Sequence, residues 1–487
     1  MTHFDKENLP IAIIGAGPVG LAAAAHAINR GLEPLVLEAG ERVAANVRDW
    51  QHVKLFTPWE YLVDPAVERL LSATGWQAPE LSRVPRGAEL IEHMLDPLVE
   101  QTPVGDYVHV SHRVRAITRL GHDRMKDGER EDAPFVLLVD TPHGTRRFLA
   151  STVIDASGTW ATPNPLGASG VPANGEQELV HRIRYGIPDI EERERDRFGG
   201  KRVLVVGSGH SAIHSVLGLH KLADEMPYTR VFWAIRRDNP AKLWGGGEDD
   251  ELAERGALGN RVHQAVTEGN LELLLGTSIA ELRDGPEGIA VVDVDGRQRA
   301  VVDEIIAATG SRPDYGMSRE LRVELDPVTE AVRSLGPLID PNHHSCGSVP
   351  PHGARELVHP EEGYYIVGMK SYGRAPTFLL RTGYEQVRSV VALVAGDVEA
   401  AERVELVLPE TGVCNANIGV TDEAGDEAGS CCGAAPAPSS EEPGDEASSC
   451  CATASSSPRK EAPSAPSACC SASEPAAPPA RVHTSCC

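Results

Sequence analysis

Residues 11–38 read IAIIGAGPVGLAAAAHAINRGLEPLVLE and contain the clearest indication of the fold. A short apolar run enters a glycine turn, an alanine-rich helical segment follows, and a second apolar run begins after Gly31. Two such runs around one helix predict a βαβ unit. The turn spells G-x-G-x-x-G, whose glycines permit a tight turn, close approach of a pyrophosphate and close helix packing. The stretch therefore predicts a Rossmann unit that binds a dinucleotide.

The end of the second run indicates which dinucleotide fits. Glu38 ends it, and a carboxylate there accepts hydrogen bonds from ribose hydroxyls and repels a 2′-phosphate. The helix N-terminus offers free N–H groups and a positive dipole end to the phosphates. The predicted binding residues of this first turn are Gly15, Gly17, Pro18, Gly20 and Glu38.

A second unit of the same kind begins at residue 202, where RVLVV enters GSGHSA and gives G-x-G-x-x-A. A helical segment and the run VFWAI follow, and that run ends in two arginines instead of an acid. Cations there suit a 2′-phosphate, so we predict NADPH; if the arginines are only a solvated strand end, NADH is possible. The predicted binding residues are Gly207, Gly209, His210, Ser211, Arg236 and Arg237.

Two similar segments, VIDASG at 153–158 and IIAATG at 305–310, flank the second unit. Each reads as a strand that runs into a turn, so Gly158 and Gly310 are also predicted binding residues. We predict an α/β fold in which a second Rossmann-like domain is inserted into the first. The predicted boundaries are 1–160 and 311–414 for the first domain, 161–310 for the inserted domain and 415–487 for a C-terminal tail.

Composition narrows the function classes. The formal net charge of −25 argues against nucleic acid and anionic membranes, because like charges repel. The sequence has no export signal and no apolar run long enough to span a membrane, so a cytoplasmic location is expected. Only Cys346 and Cys414 precede the tail, which is typical of an intracellular enzyme. We expect a small-molecule or metalloid substrate; the sequence leaves the oligomeric state open.

The tail, from about residue 421, consists mainly of Ala, Ser, Pro, Glu and Gly. Such a segment cannot bury enough apolar surface to offset its chain entropy, so we predict disorder. Its paired thiols are soft ligands that favour thiophilic ions such as Cu(I), Zn(II), Hg(II) or trivalent arsenic; the alternative is an extension with incidental cysteines. The candidate metal ligands are Cys431, Cys432, Cys450, Cys451, Cys469, Cys470, Cys486 and Cys487.

Together these motifs resemble the flavin-containing monooxygenase-like flavoproteins, and most closely the predicted flavoproteins encoded beside cation-efflux and arsenic-resistance genes. The resemblance covers roughly residues 8–414 and implies FAD at the first turn and NADPH at the second. It rests on both glycine turns and on WQHVKLFTPW (50–59), DASGTWATPNPLG (155–167), AATGSRPD (307–314) and VGMKSYGRAPTFLLRTGYEQV (367–387). His181-x-x-x-Tyr185 resembles half of the monooxygenase fingerprint, but Gly175 and Gln177 replace its Phe and first Gly.

The resemblance places Trp50, His52, Phe56 and Thr57 in a loop over the isoalloxazine, with ordinary packing as the alternative for each. Gly368 and Lys370 follow the run YYIVG, so Lys370 or nearby backbone N–H groups are expected to face the ribitol or the flavin. His52 and Lys370 are the candidate catalytic residues. Residues 343–352, HHSCGSVPPH, contain three His and one Cys, so a zinc site is conceivable, although the usual C-x-x-C or H-x-x-x-H spacing is absent; the alternatives are a substrate loop near the flavin and a surface loop.

Three hypotheses for the function differ in where the electrons from NADPH go. The body has no C-x-x-C, so a dithiol reductase mechanism is not expected, and electrons pass to oxygen, to a small acceptor or to the tail. The leading hypothesis is an NADPH-dependent FAD oxidoreductase of the flavin monooxygenase-like type that works in arsenic or heavy-metal handling. The alternatives are a flavin-linked reductase of a metal or metalloid species, and a metal-binding protein that uses the flavoprotein body as a scaffold.

Overall fold

The computed structural model describes residues 6–240, 243–244, 253–268, 271–343, 349–375 and 378–406. All of them lie within one compact unit, Met1–Thr421. The predicted tail, Cys346, Cys414 and the eight paired cysteines lie outside the described residues. No helix in the described part of the chain has the length and apolar character that a membrane crossing requires.

Within the described residues, the strands form two parallel and two antiparallel sheets. The strands are β1 Ile11–Ile14, β2 Pro34–Leu37, β3 Val108–His109, β4 Arg113–Arg119, β5 Phe135–Thr141, β6 Gly144–Ala150, β7 Thr152–Asp155, β8 Ile183–Tyr185, β9 Arg202–Val206, β10 Arg230–Ala234, β11 Leu271–Leu274, β12 Ile279–Gly285, β13 Gly288–Asp293, β14 Gln298–Val302, β15 Glu304–Ala307 and β16 Tyr364–Ile366.

The described α-helices lie in the connections between strands, and several of them pack against the sheets. They are α1 Pro18–Asn29, α2 Ala45–Asp49, α3 Pro65–Ser72, α4 Gly87–Leu90, α5 Asp96–Gln101, α6 Arg195–Phe198, α7 His210–Glu225, α8 Ala253–Thr267, α9 Gly336–Ile339, α10 Leu380–Val394 and α11 Val398–Glu402. A π turn, Ile91–Leu95, joins α4 to α5, and 3-10 turns span Lys6–Asn8, Trp59–Tyr61, Pro103–Tyr107, Val180–Arg182, Gly316–Ser318, Ala354–Glu356 and Gly368–Tyr372.

The first sheet has the order β16-β7-β1-β2-β3, and every neighbouring pair is parallel. The register places Ile14 opposite both Leu37 and Asp155, and Ile366 opposite Asp155. The carboxyl ends of β1, β7 and β16 therefore lie level at one edge. Since ligands of parallel sheets bind beyond this edge, the turns that follow these strands form the candidate site.

The second sheet, β11-β10-β9-β15-β8, is also parallel, and its strands lie between β7 and β16 in the sequence. Val206 lies opposite both Ala234 and Ala307, so the carboxyl ends of β9, β10 and β15 are level as well. The predicted fold class is confirmed: one Rossmann unit is inserted into another. The residue boundaries of the domains stay a prediction.

Alanines allow the first unit to pack closely. Helix α1 lies between the first sheet and helix α10, and its residues Ala22–Ala25 are fully buried. A helix of small side chains can approach its neighbours closely, which brings its N-terminus against the glycine turn. The helix ends as predicted before Gly31, whose φ of +74° suits a C-terminal glycine.

Candidate functional site

The first glycine turn has the geometry that its sequence predicts. Gly15 has a φ of +98°, and a Cβ there would lie 2.9 Å from the carbonyl oxygen of Ala156. A Cβ at Gly20 would lie 1.9 Å from the carbonyl oxygen of Gly15, so only glycine lets α1 approach the turn. A Cβ at Gly17, by contrast, would have nothing within 4 Å. The middle glycine therefore faces open space, where a pyrophosphate can approach the N-terminus of α1 at Pro18.

Glu38 lies over this turn and is 9% exposed. Its Oε2 accepts a hydrogen bond of 2.7 Å from the N–H of Ala16, and its Oε1 accepts one of 2.7 Å from the N–H of Gly40. These bonds fix the carboxylate at the end of β2. Each carboxylate oxygen can accept more than one hydrogen bond, so both remain available to ribose hydroxyls.

The second glycine turn repeats this arrangement. Gly207 has a φ of +134°, and a Cβ there would lie 2.2 Å from the carbonyl oxygen of Ala308. A Cβ at Gly209 would have nothing within 4 Å, while Ala212 is buried at the third position of the motif. The indole of Trp233 donates a hydrogen bond of 2.8 Å to the carbonyl of Gly207 and fixes the turn. An open middle glycine again lies at a helix N-terminus, that of α7.

The two arginines follow β10 at the carboxyl edge of the second sheet. Arg236 is exposed and makes a long contact of 3.4 Å from its Nη1 to the carbonyl of Ala168. The carbonyl of Arg237 accepts a hydrogen bond of 3.0 Å from the N–H of Gly276. The fold therefore places both cations on the same edge of the sheet as Gly209. Ser211 lies in the first turn of α7, where its carbonyl accepts a hydrogen bond from the hydroxyl of Ser215.

The chain passes between the two units in the segments that follow β7 and β15, and hydrogen bonds join these two crossover segments to each other. The hydroxyls of Thr159 and Ser311 lie 2.8 Å apart, and the Nδ2 of Asn164 donates to the carbonyl of Thr309 at 3.1 Å. The Nε of Arg312 donates to the Oδ1 of Asn164 at 2.8 Å. Gly158 and Gly310, the predicted binding residues of these segments, have φ values of +71° and +81°.

Helix α2 and the loop after it, which is predicted to cover the isoalloxazine, connect the two units. The indole N–H of Trp160 donates a hydrogen bond of 3.0 Å to the Oδ2 of Asp49, and the Nη2 of Arg193 donates one of 3.3 Å to the backbone carbonyl of Asp49. The Nζ of Lys54 lies 2.7 Å from the Oε1 of Glu254 on α8. Residues of the first unit therefore reach both the crossover and the inserted unit.

Two residues of this loop approach the second glycine turn. The ring of Phe56 lies 5.1 Å from that of His210. Burial lowers the pKa of His52, so its imidazole is neutral at pH 7. Burial and the neighbouring His210, Arg261 and His52 lower the pKa of His214 to about 4. Neutral imidazoles and an aromatic ring thus line the junction between this loop and α7.

Trp50 and Thr57 fit ordinary packing. A Cβ at Gly87 would lie 2.9 Å from the ring of Trp50, which packs on the start of α4 and against the main core. Thr57 is 6% exposed. Their predicted contact with the flavin stays a prediction.

Lys370 is directed into the protein. Its Nζ lies 2.7 Å from the Oδ2 of Asp155 and 3.1 Å from the Oγ of Ser157, and its side chain is 2% exposed. The ammonium group is therefore held by Asp155 instead of facing open space at the turn. Gly368, two residues earlier, has a φ of +67° and packs against Val19 at the start of α1.

A hydrogen-bond network joins Gly368 to the end of the predicted substrate loop. The N–H of Gly368 donates to the Oε1 of Gln386 at 2.7 Å, and the Nε2 of Gln386 donates to the Oγ of Ser371 at 2.9 Å and to the Nε2 of His352 at 3.1 Å. Burial lowers the pKa of His352, and its Nδ1 donates to the carbonyl of Pro350. Residues 344–348 of this loop lie outside the described residues.

Tyr185, the aromatic residue of the fingerprint-like segment His181-x-x-x-Tyr185, is held by a hydrogen bond to a buried glutamate. The hydroxyl of Tyr185 donates a hydrogen bond of 2.6 Å to Glu176, whose carboxylate also accepts from the N–H groups of Leu166 and Ala173. Burial and the Glu176 carboxylate raise the pKa of Tyr185 far above its usual value. These contacts tie the segment after the first crossover to β8. His181 is exposed, and its carbonyl accepts a hydrogen bond from Arg197.

Sequence reasoning missed Asp155, Tyr364, Gln386 and His214. Asp155 was visible as the one acid that ends an otherwise apolar strand, but its partner lies far along the chain. No group of three or more His, Cys, Asp or Glu side chains within the described ranges can hold a metal ion.

Residues 13–72 match the model of a family described as NAD(P)-binding Rossmann-like domain. Ferredoxin–NADP reductase 1 of Cupriavidus necator is 28% identical over 306 residues, which are 62% of this chain and 70% of that protein. The structure of a bacillithiol disulfide reductase from Bacillus cereus has a TM-score of 0.58 at 18% identity and covers 80% of this chain and 99% of its own.

The cadaverine monooxygenase DfoA of Erwinia amylovora, solved with FAD, has a TM-score of 0.56 at 13% identity and covers 83% of this chain and 99% of its own. At such identities the two structures establish a common fold only. With the sequence relative, these matches confirm the predicted class of FAD- and NAD(P)-binding oxidoreductase, and the chain shares its fold with a flavin monooxygenase and a disulfide reductase.

Proposed function

Because the chain is an oxidoreductase with the two-Rossmann fold of FAD- and NAD(P)-dependent enzymes, we propose that it holds FAD at the first turn and NADPH at the second. One observation carries the proposal. Both parallel sheets end in a turn whose first glycine is held against the neighbouring crossover and whose middle glycine, Gly17 or Gly209, faces open space at a helix N-terminus. FAD, when bound, accepts hydride from NADPH and passes the electrons to an acceptor.

The residues at the first turn fit FAD. The N–H groups at the start of α1, beginning after Pro18, and the open face of Gly17 suit the pyrophosphate. The fixed carboxylate of Glu38 suits ribose hydroxyls and disfavours a 2′-phosphate. The turns at Gly158 and Gly368 follow neighbouring strands at the same edge, and this position supports their proposed contact with the remainder of FAD.

The residues at the second turn fit NADPH. Gly209 leaves room for the pyrophosphate at the N-terminus of α7, where His210 and Ser211 form the first turn of the helix. Arg236 and Arg237 supply positive charge for the 2′-phosphate, and planar guanidinium groups suit a phosphate well. NADH is the weaker cofactor in this proposal.

The acceptor is proposed to be a small molecule or oxygen. Only Cys346 and Cys414 precede residue 421, so the body offers no C-x-x-C for a dithiol mechanism. The chain of hydrogen bonds from Gly368 through Gln386 to His352 supports a position of the described residues 349–352 beside this site, where a substrate segment is proposed. Flavin monooxygenation and reduction of a bound small acceptor both remain compatible with this arrangement.

The experiment compares the purified full chain with and without oxygen. A yellow protein with one FAD per chain that oxidises NADPH faster than NADH is expected. Hydrogen peroxide is measured in air, and NADPH turnover is measured under nitrogen with arsenite or a metal ion added. Together the two measurements identify the class of electron acceptor. A colourless protein that does not bind added FAD contradicts the proposal.

A role in arsenic or heavy-metal handling is the second candidate, and the four cysteine pairs of the tail favour it. Deletion of residues 421–487 is expected to abolish binding of a thiophilic ion while NADPH oxidation continues. A full-length variant with the eight tail cysteines changed to serine is the matched control, because it keeps the length and the acidic charge. Unchanged metal tolerance of cells that carry either variant contradicts the role.

A further inference from the structure

A buried ion pair lies behind the turns that form the first dinucleotide site. The Nζ of Lys370 is 2.7 Å from the Oδ2 of Asp155, and the two side chains are 2% and 0% exposed. Charged side chains are rarely buried to this degree unless they are paired. The two charges therefore compensate each other inside the protein.

The remaining polar atoms around this pair are also satisfied. Ser157 donates to the Oδ1 of Asp155 from its N–H at 3.1 Å and from its hydroxyl at 2.6 Å, and the hydroxyl of Tyr364 donates to Oδ2 at 3.0 Å. Burial and the Asp155 charge raise the pKa of Tyr364, so its hydroxyl stays protonated and keeps donating. The ring of Tyr315 lies 5.5 Å from the lysine Nζ. The pair is thus held from several sides and has little freedom to rearrange.

The pair lies at the carboxyl edge of the first sheet. Asp155 ends β7 opposite Ile14 and Ile366, and Ala156, the next residue, contacts the Gly15 turn. Lys370 belongs to the segment after β16, which packs on the start of α1 through Gly368. The ion pair therefore connects two turns that flank the phosphate turn.

We propose that Asp155 and Lys370 are positioning residues for the flavin: together they fix the segment from Gly368 to Ser371 and keep the local charge neutral. The inference rests on the proposed binding of FAD at this edge. Reduction of a flavin adds electrons and favours nearby positive charge, so an uncompensated lysine favours the reduced flavin and an uncompensated aspartate disfavours it.

The test uses three variants and measures the midpoint potential of the FAD-loaded full chain. D155N keeps most of the hydrogen-bonding shape and leaves the lysine charge uncompensated, so the potential is expected to rise. K370Q leaves the aspartate charge uncompensated, so the potential is expected to fall. The double variant D155N/K370Q is expected to return close to the original potential.

A second buried ion pair at the opposite end of β16 provides the matched control. Glu361 precedes β16 and pairs with Arg119 and Arg130, all three side chains being nearly inaccessible. E361Q is expected to lower stability without a shift of the flavin potential. FAD content and thermal unfolding are recorded for every variant, so that a general loss of structure is recognised.

The inference is supported if the two single variants shift the flavin potential in opposite directions. It is also supported if both single variants lose FAD and the double variant binds it again. Unchanged potentials, shifts of the same sign, or loss of FAD from the double variant as well would overturn it. Failure of the unaltered protein to bind FAD would instead contradict the proposed function.

Discussion

Gly17 and Gly209 differ from the glycines beside them because their backbone does not require glycine. Their φ values of −82° and −88° are open to any residue, and nothing within 4 Å would touch a Cβ. Gly15 and Gly207, with positive φ and carbonyls close to a Cβ, are needed by the fold itself. Substitution of the two middle glycines therefore separates ligand binding from folding.

We expect G17V to purify with little FAD, because the valine side chain fills the space proposed for the pyrophosphate, and to unfold at the temperature of the unaltered protein stripped of FAD. G209V is expected to keep FAD and to raise the KM for NADPH by roughly tenfold or more, which corresponds to about 1.4 kcal/mol of binding free energy. Absorbance of bound flavin and steady-state kinetics measure both effects.

Gly128 serves as the control for these substitutions. It also has nothing within 4 Å of a Cβ, but it lies in the connection between β4 and β5, far along the chain from either turn. G128V should change neither FAD content nor KM. Normal FAD content in G17V would show that the first turn does not hold the pyrophosphate.

Arg236 and Arg237 determine the preferred nicotinamide cofactor in our proposal. The double variant R236S/R237S is expected to raise the KM for NADPH by about tenfold, since one charge-assisted hydrogen bond contributes about 1.5–3 kcal/mol. The KM for NADH should change little, because NADH lacks the 2′-phosphate.

Arg230 starts β10, the strand that ends just before the two arginines, so R230S changes a charge at the opposite edge of the sheet. Its kinetic constants should match those of the unaltered protein. Equal losses toward NADPH and NADH in the double variant would count against recognition of the 2′-phosphate.

At the scale of single elements, β16 is held by charge at both ends. Asp155 and Lys370 lie at its carboxyl end, and Glu361 lies before its amino end between the guanidinium groups of Arg119 and Arg130. Burial alone would raise the pKa of Glu361, but hydrogen bonds from Arg130 and Arg119 outweigh burial and hold its pKa below the usual value. A three-residue strand thus gains much of its placement from ion pairs.

The lowered pKa of Glu361 predicts a stability loss in acid. A carboxyl whose pKa is lower in the folded state stabilises the protein fully above its unfolded pKa, near 4.3, and this contribution disappears as the pH falls through the folded pKa. E361Q should therefore reduce the free energy of unfolding at pH 7 by on the order of 3 kcal/mol and flatten the acid side of the stability profile.

Denaturant unfolding of the full chain between pH 3 and pH 8 measures this effect. E281Q is the matched control, because Glu281 pairs with Arg283 on the surface, where both side chains are more exposed. The control should change the profile far less than E361Q, because solvent screens the exposed pair of Glu281 and Arg283. An E361Q variant with the same acid sensitivity as the unaltered protein would contradict the prediction.

The sequence predicts some strands well and others poorly, and the difference follows from how each strand is stabilised. The runs that became β1, β2, β9, β15 and β16 are short and apolar and end at glycine turns, so periodicity and turn chemistry identify them. The three-stranded sheets β4–β6 and β12–β14 carry many exposed side chains, and their assignment depends on antiparallel partners. Such pairing is set by tertiary contacts and not by local propensity.

At the scale of the whole molecule, the loop that follows α2 links the two Rossmann units. Phe56 of the first unit contacts His210 at the start of α7, and Lys54 pairs with Glu254 on α8. Hydride transfer requires both cofactors to approach each other, so contacts between the units are expected to influence its rate.

F56A should slow flavin reduction by NADPH in stopped-flow measurements by roughly two- to tenfold, since an aromatic pair is worth about 0.5–1.5 kcal/mol. FAD content and the KM for NADPH should remain close to normal. Tyr228, which is 88% exposed in the inserted unit, provides Y228A as a control that should not alter the rate. An unchanged reduction rate in F56A would mean that this contact does not influence the approach of the cofactors.

The sequence alone determined the two Rossmann turns, their order and the insertion of one unit into the other, because these depend on local glycine chemistry and on apolar runs that neighbouring residues establish. Only the tertiary structure decided that Lys370 faces Asp155 and that Phe56 reaches His210. Both contacts join segments far apart in the chain, and such pairs are fixed by sheet register and packing. Periodicity carries no information about which distant charge a buried lysine will meet.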